Sequence, residues 1–252
     1  MTRRVRIIPV LLLSKGSLYK TIKFKNGQYV GDPINAVKIF NEKEADELLL
    51  LDYRATVEHR KPDYTKIKEI AEEAFMPMAY GGGIRNLEDA KKVYDCGFEK
   101  IILNSVLFEN IHLVEQIANI YGSQSVVGSI DVKKNLFGNY NVYSHSGTKK
   151  TSEDPLKWAK KLELGGIGEI ILNSIDNDGT WNGYLLDLTK LVSHKINIPM
   201  IACGGAGSEQ DFRDAVLAGA SAVAAGSMFV FQKKEMGVLI SFPSSLRLTI
   251  KT

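Results

Sequence analysis

The sequence predicts an α/β protein, a (β/α)8 TIM barrel assembled from two duplicated half-barrels, on three observations. Short apolar runs alternate with longer segments of helical period, the alternation of a parallel sheet covered by helices. Eight such runs can be counted, the number that closes a barrel. The third observation is an internal repeat. Gly81 and Gly204 lie 123 positions apart, Asp52 and Asp176 124, Asn104 and Gly226 122, and Leu12 and Asp131 119. A period that preserves order together with spacing marks a duplication. With 252 residues and 44% hydrophobic content, the chain suits one barrel better than two small domains. It reads as a single domain, 1–252, with half-barrels of about 1–122 and 123–252.

In order, the first half offers VRIIPVLLL (5–13), the helical segment DPINAVKIFNEKEA (32–45), ELLLLD (47–52), MPMAY (76–80), the segment NLEDAKKVYDCG (86–97) and KIILN (100–104). The second offers SVVGSID (125–131), EIILNS (169–174), IPMIAC (198–203), the segment SEQDFRDAVLAGA (208–220) and SAVAAG (221–226). Asp32, Asn86 and Ser208 are N-cap candidates, and Gly97 and Gly219 are stops. The tail EMGVLISFPSSLRLTIKT (235–252) breaks the pattern. Val238, Leu239, Ile240 and Phe242 are nearly consecutive and Pro243 follows, so no amphipathic helix forms, and the last covering helix should be shortened or replaced. That leaves either an apolar strip for a protein contact or a tail packed back on its own barrel.

The 32 basic and 29 acidic residues are interspersed, for a net charge of +3, which argues against a nucleic-acid or polybasic membrane footprint. Cys96 and Cys203 fit no CxxC pattern, so free thiols in a reducing cytoplasm are expected rather than a metal site. The apolar stretch near the N-terminus suits a buried strand, and no segment nears the ~18 apolar residues of a membrane span. GxGxxG is absent after the first run, and no cofactor is expected.

GGGI (81–84) and GGAG (204–207) each follow a strand and lead into a helix. Without Cβ atoms such turns adopt positive φ and bring backbone N–H groups close to an anion. One such loop is equally a tight turn, but two in register within a duplicated barrel point to two phosphates on one elongated ligand. Asn104-Ser105 and Gly226-Ser227, after the next strands, are placed to complete the anion's hydrogen bonds. In SIDNDGTWNGY (174–184), Asp176 and Asp178 either cap backbone N–H groups or meet ligand hydroxyls, and Gly179 is a further phosphate candidate.

Together these residues resemble the cyclase subunit of imidazole glycerol phosphate synthase, HisF, from residue 5 to about 231. GDP (31–33), LLD (50–52), GGGI, SID (129–131), DGT (178–180) and GGAG stand in the family's order. The resemblance implies a lyase within a glutamine amidotransferase complex. A HisH-like glutaminase docked on the N-terminal face of the barrel makes ammonia. The ammonia crosses the interior and attacks a bisphosphorylated ribosyl substrate, which yields imidazole glycerol phosphate and an aminoimidazole carboxamide ribotide. By the same resemblance Gly83, Asn104 and Ser105 hold one phosphate, and Asp178, Gly179, Gly205, Gly226 and Ser227 the other. Arg6, Glu47, Lys100 and Glu169 match the family's ammonia gate. They stand at strand starts, where two cations and two anions can meet, or where charges merely face solvent.

The family's general acid–base pair is a carboxylate on the first strand and one on the fifth. Asp131 fills the fifth position, although an aspartate there could also cap or order a loop. The first is Leu12, which cannot carry a proton. Val10 stands for a family cysteine, Leu103 for a serine, and the lysine of the first loop survives as Lys20. Loss of one proton-transfer group costs about 10²- to 10⁴-fold, so cyclisation should be impaired. Three readings follow. In the first, a divergent paralogue passes ammonia to amidation of a surface-polysaccharide (lipopolysaccharide) sugar through an ATP-dependent amidotransferase. In the second, an authentic cyclase of histidine biosynthesis uses Asp52, Asp176 or a water as its other acid. In the third, the chain is a non-catalytic scaffold that binds a phosphorylated ligand.

Overall fold

A computed structural model describes residues 2–234, 237–243 and 248–251. Eight parallel strands form a closed ring: β1 (Thr2–Ser14), β2 (Leu48–Asp52), β3 (Met78–Gly81), β4 (Lys100–Leu103), β5 (Val126–Lys134), β6 (Glu169–Ser174), β7 (Met200–Cys203) and β8 (Ala222–Ala225). Each pairs with the next, and β1 closes the ring by pairing Arg6 to Pro9 with Ala222 to Ala225 of β8. The (β/α)8 prediction is therefore met. The runs read as uniformly apolar because both faces of each strand are covered. In β1, Ile7, Leu11 and Leu13 join the annulus beneath the helices, whereas Ile8, Val10 and Leu12 point into the barrel.

The covering helices are α1 (Pro33–Glu42), α2 (Tyr64–Ala71), α3 (Leu87–Asp95), α4 (His112–Tyr121), α5 (Pro155–Leu164), α6 (Leu186–Ser193), α7 (Glu209–Leu217) and α8 (Ser227–Val230). Asp32, Asn86 and Ser208 are N-caps, each accepting a backbone N–H three residues on. Gly97 and Gly219 follow their helices at φ +101° and +102°. The duplication extends to single hydrogen bonds. Leu48 N–H donates to Pro77 C=O and Ile170 N–H to Pro199 C=O, both at 3.0 Å. Both prolines lie inside predicted runs, and both strands begin just after them.

The eighth helix is a single turn. Phe242, which is buried, packs its ring 6.4 Å from Phe40 and 5.1 Å from Phe229. A strand at Leu248–Lys251 pairs antiparallel with Thr2 to Val5 of β1. The tail thus packs back on its own barrel, although Val238 and Leu239 stay exposed. Phe242→Ala should cost about 3–5 kcal/mol in guanidinium unfolding, since it empties an aromatic cluster.

Two ribbons rise from the C-terminal ends of the strands. Ser17–Ile22 and Lys25–Gly31 form a hairpin that turns at Lys23 and Phe24, both at positive φ as a twisted two-residue turn requires. β5 continues past the barrel, and the chain returns as Tyr140–Ser144, beside a short strand Lys149–Lys150. Among the described residues no helix is long and apolar enough to cross a membrane.

Candidate active site

The strand ends open into a cavity of about 1210 Å³, open mouth included. Its wall brings together Leu12, Lys20 and Asp131 with Gly83, Asn104 and Ser105 on the β3–β4 side and Asp178, Gly179, Gly205, Gly226 and Ser227 on the side of β6 to β8. The two glycine loops lie on opposed parts of the ring. Their backbones are closely invested. A Cβ on Gly83, at φ +74°, would stand 2.7 Å from Arg60 O, and one on Gly205, at φ +117°, 2.1 Å from Gly183 O. Ser105 Oγ accepts the N–H of His145 at 2.9 Å, which leaves its own proton to donate.

Asp131 is buried, and the strands on both sides of it supply donors. Asn104 Nδ2 of β4's end lies 2.9 Å from Oδ2, Asn173 Nδ2 of β6 3.3 Å from Oδ1, and Ser129 Oγ 3.3 Å from Oδ1. Burial pushes this carboxyl up to about 7, assisted by the charge of Asp178, while the amide of Asn173 and the hydroxyl of Ser129 pull it down. It can therefore give or take a proton near neutrality. Asp131 is no N-cap. Asn104, assigned to phosphate by resemblance, reaches the cavity, but its amide nitrogen is directed at Asp131 and at Ser129 O. A phosphate there would meet backbone N–H groups and Ser105.

The raised value has a cost in stability with a definite sign. In the folded chain Asp131 holds its proton to about pH 7, whereas its ordinary value is 3.8. Stability due to this group falls as pH rises through that window. Asp131→Asn, of nearly the same shape, should be about 2–4 kcal/mol more stable than the wild type at pH 8, with the difference gone near pH 4 in guanidinium unfolding. The same variant should lose any cyclase activity.

The other carboxylates of the mouth are engaged. Asp52 holds Arg60 in a two-pronged contact at 3.0 and 3.2 Å and accepts the N–H groups of Arg54 and Ala55. Asp176 caps the Lys134 N–H at 2.8 Å. Asp178 accepts from Lys20 Nζ at 2.7 Å and Thr21 Oγ1 at 3.0 Å, which clamps the first hairpin onto the β6 loop. Lys20, buried, also donates to Thr21 C=O. Leu12 of β1, its register partner Leu51 of β2, and Cys203 of β7 each pack against the apolar interior. Burial pushes the Cys203 thiol up to about 12, so it stays protonated near neutrality. Cys96 and Cys203 are both free.

At the opposite end the four predicted charges meet in one ring. Arg6 contacts Glu47 and Glu169, and Lys100 Nζ lies 2.9 Å from each. Both carboxylates are buried, so the ring faces inward rather than solvent. Between ring and mouth the interior is apolar, with Ile8, Leu49, Ile102, Val127, Ile171 and Ile201.

Sequence reasoning missed Asn173 and Ser129 as partners of Asp131. A signal was present, because IILNS occurs twice, at 101–105 and 170–174. Each copy ends a strand beside β5 and presents its asparagine to the same carboxylate.

The histidine biosynthesis protein family matches residues 6–235. A Pseudomonas aeruginosa protein named, provisionally, imidazole glycerol phosphate synthase subunit hisF2 is 49% identical over 251 residues, 99% of this chain and 100% of that protein. A Leptospira interrogans protein with the same provisional wording, subunit HisF, is 48% identical over 95% of each chain. The Alkaliphilus metalliredigens imidazole glycerol phosphate synthase subunit HisF, named without that proviso, is 41% identical over 90% of this chain and 91% of its own. With barrel, duplicated glycine loops and charged ring in place, the chain belongs to the histidine biosynthesis protein family and is HisF-like.

Proposed function

We propose that this HisF-like chain receives ammonia from a HisH-like glutaminase and passes it to a separate acceptor, with its own cyclisation chemistry impaired. The observation that carries the reading is the contrast between the two ends of the barrel. The ring of Arg6, Glu47, Lys100 and Glu169 is complete, whereas at the mouth Asp131 faces an apolar β1 side built from Leu12, Val10 and Leu51. General acid–base chemistry needs two differently poised groups, and Asp52 and Asp176, which could have replaced the missing one, are held in structural contacts. Lys20 is tied to Asp178.

Docking of the glutaminase on the N-terminal face is supported by Phe75, Leu164 and Leu217. All three are at least 80% exposed, in or beside the turns that lead from helices back into strands, on the side of the ring. Large apolar side chains gathered on one face suit a protein contact. The glycine loops bind a phosphorylated small molecule across the mouth. The acceptor in this reading is a surface-polysaccharide sugar, amidated by an ATP-dependent partner in the cytoplasm.

Glutamine hydrolysis by the cognate glutaminase, measured with and without this chain, tests the reading. Stimulation within a stable complex is expected, and neither stimulation nor complex would overturn it. The retention of both glycine loops favours a second reading, a working cyclase of histidine biosynthesis. Turnover of the bisphosphorylated substrate with ammonium salts, which bypass the glutaminase, at a rate matching active relatives would establish that one instead.

A further inference from the structure

The ribbon that extends β5 has a tip that neither the cavity nor the ring uses. Leu136 and Phe137 stand there at 102% and 90% exposure. The tip is ordered by its own hydrogen bonds. Asn135 Oδ1 accepts the N–H groups of Phe137 at 2.9 Å and Asn139 at 3.0 Å, Asn135 N–H donates to Asn139 C=O at 2.8 Å, and Gly138 N–H to Asn135 C=O at 3.0 Å. Two large apolar groups are thereby held out in water by a fixed frame, the form of a preorganised anchor that loses little entropy on binding.

The charges carried by the ribbon itself have one sign, with Asp176 of the β6 loop meeting its backbone at Lys134. Residues 132–152 include Lys133, Lys134, Lys149 and Lys150 and no aspartate or glutamate. Lys134 leans on the Tyr140 ring, 5.8 Å from its centre. The ribbon is also tied to the mouth, through His145 N–H to Ser105 and Lys134 N–H to Asp176. Anything that seats on this tip therefore sits beside the opening above Asp131.

We propose that the ribbon is a docking finger for the protein that consumes the ammonia. Leu136 and Phe137 enter an apolar pocket on that protein, Lys133 and Lys134 meet carboxylates beside that pocket, and Lys149 and Lys150, level with Asp131 at the ribbon's base, meet carboxylates nearer the mouth. The proposal rests on the ammonia-delivery reading. Ammonia released into neutral water is protonated and ceases to be a nucleophile, so a recipient has to cover the mouth, and in doing so it meets this ribbon. Opposite charge around an apolar anchor sets register and speeds encounter.

The experiment uses this chain, a HisH-like glutaminase and an ATP-dependent sugar amidotransferase from the same organism, with two variants, Leu136→Ser/Phe137→Ser and Lys149→Glu/Lys150→Glu. The substituted side chains lie at the surface and leave the barrel core intact. Each variant should bind the amidotransferase at least about tenfold more weakly, and the deficit of the charge variant should shrink in high salt. Glutamine-driven amidation should fall in parallel, while glutaminase stimulation and ammonium-driven amidation stay at the wild-type level. Wild-type affinity in both variants, or no association of the unaltered chain with the amidotransferase, would overturn the finger while intact glutaminase stimulation preserved the delivery reading. Absence of that stimulation would remove both. Binding of the unaltered chain to vesicles of mixed zwitterionic and anionic phospholipid, lost in Leu136→Ser/Phe137→Ser with amidotransferase affinity unchanged, would assign the tip to a membrane and also overturn the proposal.

Discussion

Leu12→Asp should raise ammonia-dependent cyclase turnover by about 10²-fold, the lower end of what one proton-transfer group contributes. The new carboxylate would enter a mouth that already holds two glycine loops and Asp131, on the strand that stands across the barrel from β5. The lower end is expected because Val10 and Leu51 keep that wall apolar. The same surroundings fix the direction of the pH response. Burial beside Leu51 raises the new group's pKa, and each carboxylate disfavours ionisation of the other. With Asp131 already near 7, the optimum should move to higher pH than in relatives with a polar wall. Turnover with ammonium salts across pH measures both effects, and an unchanged rate would mean that Val10 beside it also has to change.

The second large effect is expected at the ring. Arg6→Met leaves two buried carboxylates sharing the single cation of Lys100, and removal of one partner from a buried ionic set costs about 3–5 kcal/mol. Arg6→Met/Glu169→Gln restores one anion to one cation and should recover most of that loss, a coupling that a double-mutant cycle reads directly. The pH signature differs from that of Asp131. Burial works to raise the Glu169 carboxyl, but hydrogen bonds and charge from Arg6 and Lys100 outweigh it and hold the group below its ordinary 4.5. Its stabilisation is therefore present above that pH and lost as pH falls through the depressed value. Guanidinium unfolding at pH 7 and at pH 3 should show a smaller acid loss in Glu169→Gln than in the wild type. In complex with the glutaminase, Arg6→Met should lower glutamine-driven product formation and leave ammonium-driven formation unchanged.

Barrel strands and helix caps were legible because local chemistry specifies them. Runs apolar on both faces become strands covered on both faces, and Asp32, Asn86 and Ser208 have the short acceptor side chains that an N-cap needs. Asp131, the glycine loops and the four ring charges could likewise be placed, since each is fixed to the end of a strand. Contacts between strands were less legible. That Asp178 serves Lys20 while Asp176 serves the Lys134 N–H follows from how two ribbons fold over the mouth, and those ribbons were not read from the sequence. The first ribbon turns at Lys23 and Phe24, a pair without the Asn-Gly or Asp-Gly that marks such turns. The tail was legible only as a departure from helical pattern, because the contact of Phe242 with Phe40 joins residues from opposite ends of the chain.

The paired asparagines around Asp131 imply an amide flip coupled to a proton. As arranged, both amides point their NH2 groups at the carboxylate, and the carbonyl oxygens Asn104 Oδ1 and Asn173 Oδ1 have no donor. That arrangement suits an ionised Asp131, which only accepts. A protonated Asp131 has an O–H to give, and one amide turned by half a revolution would receive it. Uptake of a proton below about pH 7 should thus be accompanied by the flip of one asparagine, visible as a pH-dependent exchange of its side-chain amide signals.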